Sequence, residues 1–355
     1  MESLVISTTF WKGKSVFLTG HTGFKGGWTS HWLSELGANV HGYSLQPPTK
    51  TNFFTETKLI ERLASSTLAD IRDYEGLEKA IHKAQPDILI HMAAQPLVRD
   101  SYIYPLDTFS SNVMGTINVL EAARQVASIR AVVNITTDKC YENKGWVWPY
   151  RESDQLGGYD PYSASKACAE IAASSYRNAY LSDSNIQLAS VRAGNVIGGG
   201  DWAKDRLIPD FLRALDAGET LVIRSPDAIR PWQHVLEPIS GYLILAQKLF
   251  EKGSSFAEAW NFGPSDNDSM PVSWIVKKLC EKIPRAKYEI RPDLKRHEAS
   301  LLKLDSSKAQ SKLGWFPRWH IETALEKTIE WHLAYRNQED LSALTSLQID
   351  EYLSS

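Results

Sequence analysis

Tyr162 and Lys166 stand four residues apart in YSASK, a spacing that sets both on one face of a helix. An ammonium close to a phenol favours the phenolate, so the pair makes a base able to take a hydroxyl proton. Upstream, NITTDKCYENK places Thr137, Asp138 and Lys139 in a row where an apolar run ends. An acid and an amine side by side can exchange protons with neighbouring atoms of one substrate. Near the start, SVFLTGHTGFKGGW carries Gly20, Gly23 and Gly26 directly after another apolar run. Gly20 allows a tight turn, Gly23 lets the backbone approach a pyrophosphate, and Gly26 lets helix and strand pack closely. Each pattern alone has an ordinary explanation, as a chance match, a turn or a glycine-rich connection. Their order along one chain argues for oxidation with a bound dinucleotide.

These residues need elements to hold them. SVFLT, NVHGYSL, TLADI, DILIHMAA, AVVNITT and IQLASVRA read as strands. Between them, GWTSHWLSELG, YEGLEKAIHKA, a run from Thr108 to Val126 and YSASKACAEIAASSYRNAYL read as helices, the first closed by Gly37 and the second by Pro86. Such βα alternation predicts an α/β fold, a Rossmann-type doubly wound parallel sheet with helices on both faces. Polar residues at the carboxyl ends of its strands then point into the ligand crevice. From Gly194 onward the pattern loosens: RLIPDFLRALDAG is a helix, TLVIRSP a short strand, and EPISGYLILAQKLFEKG a helix returning to the sheet. The expectation is a dinucleotide-binding lobe over 1–190 and 234–262, interleaved with a smaller α/β substrate lobe over 191–233 and 263–355.

The chain has 355 residues, 39 basic and 42 acidic, with net charge -3, a balance that argues against a nucleic-acid protein with a broad basic face. No apolar run is long enough to cross a bilayer, and MESLVISTTFWKGK does not read as a secretion signal. Cys140, Cys168 and Cys280 are far apart and odd in number, pointing to a reducing, cytoplasmic setting. Trp146, Trp148, Trp202 and Trp232 sit in turn-like segments where they could line a cleft.

The Gly-x2-Gly-x2-Gly spacing with YSASK resembles the extended short-chain dehydrogenases/reductases. TTDK, GHTGFKG, GYSLQPPT and LGGYDPYSASK, covering nearly the whole chain, resemble the CDP-glucose 4,6-dehydratases within them. The resemblance implies NAD as cofactor and no metal. Its site would draw on Gly20, Thr22, Gly23, Phe24, Lys25 and Gly26, on Ser44, Asp70 and Ile71, on Ala93, Ala94 and Gln95, and on Asn112, Tyr162 and Lys166. Ser44 stands where a carboxylate would hold the adenosine ribose, so NAD over NADP is a preference. Related dTDP-glucose and GDP-mannose dehydratases carry Glu where Lys139 stands.

The implied reaction takes a nucleotide sugar, CDP-glucose, to its 4-keto-6-deoxy product. Thr137 and Lys166 assist Tyr162 as C4 is oxidised; water is lost across C5–C6 with Asp138 as acid; hydride returns to C6. Lys139 acts as the C5 base or stays charged to stabilise the enolate, and both roles stay open here. Asn195, Arg206, Arg230, Arg291 and His297 would hold the nucleotide sugar, arginine suiting phosphate because its planar donors can bind two oxygens. The resemblance also implies a homodimer or homotetramer, paired through the helices from Thr108 and Tyr162. Rival readings are a dehydratase of UDP-N-acetylglucosamine or dTDP-glucose, a 4-epimerase with no task for Asp138 and Lys139, and a non-catalytic dinucleotide sensor.

Overall fold

The computed structural model describes residues 6–291 and 301–355. Its centre is a seven-stranded, all-parallel sheet. Six of its strands are β1 (Ser15–Thr19), β2 (Asn39–Ser44), β3 (Ser65–Leu68), β4 (Ile88–His91), β5 (Ala131–Ile135) and β6 (Gln187–Ala193). Across the sheet the order is Ala259–Phe262, β6, β5, β4, β1, β2, β3. The order in which strands are added therefore reverses between β1 and β4, where a parallel sheet leaves a crevice at its carboxyl edge.

Both faces are covered, so β4 and β5 are buried along their whole length and largely apolar. One face carries the helices Phe24–Glu35 and Leu236–Lys252, whose Trp28, Trp32, Leu236 and Leu243 share a core with Val16, Val133 and Val191. On the other face Leu77, Val119 and Ala173, from the helices Tyr74–Ala84, Gly115–Arg124 and Pro161–Ala179, pack with Phe17, Leu89 and Val132. A third cluster around Phe211, Leu221, Trp232 and Ile275 builds a smaller unit of short strands and helices. There Val196–Ile197 pairs with Gln233–His234, Thr220–Ile223 with Lys287–Ile290, and Ile229–Pro231 with Ser269–Pro271.

Two elements depart from the sequence reading. β3 ends at Leu68, before Ala69, Asp70 and Ile71, which turn away to line the crevice. The helix expected from Thr108 begins at Pro105 and contains a π turn over Ser110–Met114 before continuing as Gly115–Arg124. No helix among the described residues is long and apolar enough to cross a membrane.

Candidate active site

The three glycines do different work. Gly20 follows β1 at φ +85°, and a Cβ there would stand 2.8 Å from the backbone nitrogen of Ala93. A Cβ on Gly26 would overlap the carbonyl oxygen of Gly20. Gly23 is different: a Cβ would meet only Gly20 O, at 3.4 Å, so its outer side is open to the cleft. Gly23 also caps the helix Phe24–Glu35 without any side-chain hydrogen bond, leaving backbone N–H groups at its start for an anion. This cradle fits a dinucleotide pyrophosphate.

Around it the cleft, about 1100 Å³, takes in Thr22, Phe24, Lys25, Ser44, Asp70, Ile71, Ala93, Ala94 and Gln95. Ser44 is buried and shares a 2.8 Å hydrogen bond with the Thr22 hydroxyl, which donates to Leu45 O at 2.9 Å. Arg72 grips Asp70 through Nε and Nη2 at 2.6–3.0 Å and holds its carboxyl below the usual range. The segment after β4 is set by Thr19, whose hydroxyl accepts from the Met92 and Ala93 N–H groups. Asn112 lies one layer behind: it is buried and outside the cleft lining. Its Oδ1 accepts from Gln95 N at 2.8 Å, and its Nδ2 donates to Gln95 O and Ser165 Oγ. The π turn aims this amide at the Gln95 backbone, so Asn112 positions that strand-end segment instead of meeting a ligand.

The chemical groups converge at the ends of β5 and the helix Pro161–Ala179. Asp160 caps that helix, accepting from Ser163 N at 2.9 Å and Ser163 Oγ at 2.7 Å, and Pro161 occupies its first turn. This start directs Tyr162 and Lys166 into the cleft, where both are buried. Lys166 Nζ donates to Ile135 O at 3.1 Å. Burial pushes its ammonium down to about 8 against the pull of Glu170 one turn further on. Burial also pushes the Tyr162 phenol up to about 12, with Thr137 and Arg206 opposing and Asp138 reinforcing. Desolvation thus outweighs the cationic help expected for a phenolate.

Asp138 is 2 % exposed. Its Oδ1 accepts from Thr137 Oγ1 at 2.9 Å, while Oδ2 has no partner among the described residues. Burial raises its carboxyl, with Lys139, Arg230 and Lys25 pulling the other way. A carboxyl so placed keeps a proton to higher pH than an exposed one and can act as an acid. Lys139 lines the same wall. Beneath, Arg192 makes a buried two-point ion pair with Glu170 at 2.9 and 3.1 Å, and Thr136 Oγ1 donates to Glu170 Oε1 at 2.5 Å. The spacing of Tyr162, Lys166 and Glu170, four and eight along one helix face, is the signal that could have found Glu170.

From the smaller unit, Asn195, Arg206 and Arg230 reach the cleft. Arg206 pairs with Asp201 at 2.8 Å, and Arg230 is buried with Nη1 on Ile229 O at 3.0 Å. Arg291 is not in the cleft lining: it is exposed at the end of the short strand Lys287–Ile290, where its guanidinium turns to the Glu289 carboxylate at 2.6 Å. His297 lies outside the described residues. Of the turn tryptophans only Trp232 lines the cleft; Trp148 is exposed, and Trp202 packs on Trp331. Sequence reasoning missed Arg99, Asp205 and Arg224, which meet in the lining with Asp205 3.5 Å from Arg99 and 3.0 Å from Arg224. They come from three distant segments, and no local pattern links them. It also named Lys25 only among the cofactor residues, without foreseeing that its amine turns inward over the Tyr242 ring at 5.8 Å, where burial pushes it down to about 8.

A family model for GDP-mannose 4,6 dehydratase matches residues 17–328, which carry all of this machinery. The chain belongs to this family. It is 51 % identical over 357 residues to the CDP-glucose 4,6-dehydratase of Salmonella typhimurium, covering 99 % of each. A probable dTDP-glucose 4,6-dehydratase of Sinorhizobium fredii is 26 % identical, covering 90 % of this chain and 92 % of that one. Among solved structures, the dTDP-glucose 4,6-dehydratase DesIV from Streptomyces venezuelae, with NAD and TYD bound, superposes with a TM-score of 0.77. That match covers 92 % of this chain and 99 % of DesIV at 24 % identity. A Methanothermobacter thermautotrophicus epimerase reaches 0.81 at 22 % identity, covering 95 % and 98 % of the two chains. These two structures share the fold.

Proposed function

We propose that this chain is a hydro-lyase that converts CDP-D-glucose to CDP-4-dehydro-6-deoxy-D-glucose and water. The observation that carries the reading is the buried, half-satisfied Asp138 carboxyl, with Lys139 beside it, in the same cleft as Tyr162 and Lys166. An oxidation alone has no use for that acid. The likeness at 51 % identity to a CDP-glucose 4,6-dehydratase supports the choice of nucleotide.

NAD held on the glycine cradle, with Thr22, Ser44, Asp70 and Ala93 around it, supplies a hydride acceptor and donor within one turnover. The chain's own groups do the rest. Tyr162 takes the proton of the C4 hydroxyl, which Thr137 orients. The resulting ketone acidifies C5; Lys139 faces that proton, and Asp138 protonates the departing C6 hydroxyl. Asn195, Arg206 and Arg230 take the diphosphate. The division of labour follows the interleaved lobes, with 1–190 and 234–262 serving the dinucleotide and the remainder the sugar nucleotide. We assign the protein to the cytoplasm. It works as a homodimer or homotetramer through the helices Pro105–Phe109 and Pro161–Ala179, which leave Leu106 and Ile171 exposed at 85 % and 58 %.

The test is a panel of CDP-, dTDP-, GDP- and UDP-hexoses followed by mass spectrometry. CDP-glucose alone should yield a product lighter by one water. Turnover of a UDP- or dTDP-hexose in preference would reassign the nucleotide, and no water loss from any would remove the reading.

A further inference from the structure

Thr137, Asp138 and Lys139 lie on one short turn, and the ion pair behind it holds both of its flanks. On one side Thr136 Oγ1 donates to Glu170 Oε1 at 2.5 Å. On the other, Arg192 Nη1 donates to the Tyr141 hydroxyl at 2.8 Å. Glu170 and Arg192 are joined to each other at 2.9 and 3.1 Å. Tyr141 is fixed further by donating to Asn261 Oδ1 at 2.7 Å.

Glu170 belongs to the helix Pro161–Ala179 and follows Tyr162 and Lys166 on the same face. Arg192 belongs to β6, the neighbour of β5. Lys166 Nζ reaches Ile135 O, one residue before Thr136, so this helix grips the end of β5 twice. Neither Glu170 nor Arg192 lines the cleft, whereas Thr136 and Tyr141 do. A buried ion pair is often no better for stability than apolar residues of the same shape. Its hydrogen bonds, however, have direction. Burial works to raise the Glu170 carboxyl, but Arg192 and the Thr136 hydroxyl hold it below its usual range, so the pair stays charged.

The proposed reaction uses two sets of groups in turn on one sugar. Tyr162 and Lys166 serve C4; Asp138 and Lys139 serve the next two carbons. The two sets stand on different elements, so something that touches both must set their spacing. We propose that Glu170 and Arg192 are positioning residues that hold the elimination groups Asp138 and Lys139 in place against Tyr162 and Lys166. The inference rests on the dehydratase reading above. A misplacement of about 1 Å at a reacting group costs about a hundredfold in rate.

The experiment cuts the clamp from the turn and leaves the ion pair in place. Thr136→Val removes one hydroxyl and Tyr141→Phe the other, while Thr136→Ser keeps the first. Each NAD-loaded protein is given CDP-glucose and, separately, CDP-6-deoxyglucose, which can be oxidised at C4 but has no C6 hydroxyl to lose. Cofactor absorbance follows oxidation, and mass spectrometry follows loss of water. In the double variant, oxidation of the 6-deoxy sugar should stay near wild type, while turnover of CDP-glucose falls about a hundredfold. Reduced cofactor should then stand in the steady state, a signature that a purely structural ion pair would not produce. Thr136→Ser should behave as wild type. Melting curves check the fold; should the double variant melt early, Thr136→Val alone is read, with the same accumulation expected. The proposal is overturned if the folded variant dehydrates CDP-glucose as wild type does, or if both half-reactions fall together with no reduced cofactor. Wild type that releases no water from any nucleotide sugar is a different result, which removes the dehydratase reading and this inference with it.

Discussion

At the scale of single residues, the site separates groups that bind from groups that react. Lys139→Met should still oxidise C4 but lose no water, and a 4-keto-hexose nucleotide should accumulate in quenched samples. Full dehydratase activity in that variant would remove Lys139 from the reaction. Gly23→Ala tests the cradle. Its Cβ meets nothing closer than 3.4 Å and its φ is ordinary, so the fold should hold within about 1 kcal/mol while titration calorimetry shows NAD binding weakened. Gly26→Ala should instead fold poorly, because its Cβ overlaps Gly20 O. Tyr162, Lys166 and the TTDK run were legible because their spacing and order carry the chemistry. The inward turn of Lys25 was not, since nothing near it in sequence foretells that its amine will lie over Tyr242. Arg291 read as a phosphate ligand from its place before a proline, yet the strand ahead of it sets it beside Glu289.

At the scale of elements, the strands and helices of the sheet lobe follow from apolar runs of the right period, while their ends follow from local capping. The π turn at Ser110–Met114 escaped because its sequence, SSNVM, is compatible with an ordinary helix; only the hydrogen bonding of the Asn112 amide to Gln95 marks it. The C-terminal helix Leu341–Ser354 is tied down by a buried carboxylate, Glu237, which accepts from Tyr352 at 2.7 Å and from the Arg318 and Trp319 N–H groups. Burial pushes Glu237 up to about 7 from 4.5. The native state then holds a proton that the unfolded chain releases. The contribution is complete below about pH 4.5 and is lost as pH rises toward 7, on the order of 3 kcal/mol. Glu237→Gln should therefore raise the melting temperature at pH 8 by a few degrees and change it little at pH 4. Equal shifts at both pH values would show that the carboxyl is not titrating there.

At the scale of the molecule, a reversal in strand order between β1 and β4 opens the crevice, and the smaller unit supplies its other wall. The βα alternation made the sheet legible. The pairing of Thr220–Ile223 with Lys287–Ile290 was not, because strands of four residues separated by more than sixty carry no mutual signal. The exposed Leu106 and Ile171 belong to this scale too. Leu106→Asp with Ile171→Asp should reduce the particle mass to that of one chain in light scattering, and an unchanged mass would place the contact elsewhere. The central claim is that one cleft oxidises C4, expels water across C5–C6 and reduces C6 without releasing its cofactor. CDP-glucose carrying deuterium on C4 reads all three steps by mass and nuclear magnetic resonance spectra of the product. A sugar nucleotide lighter by one water with the deuterium on C6 is the predicted result; deuterium still on C4, or lost to an added cofactor pool, would contradict it.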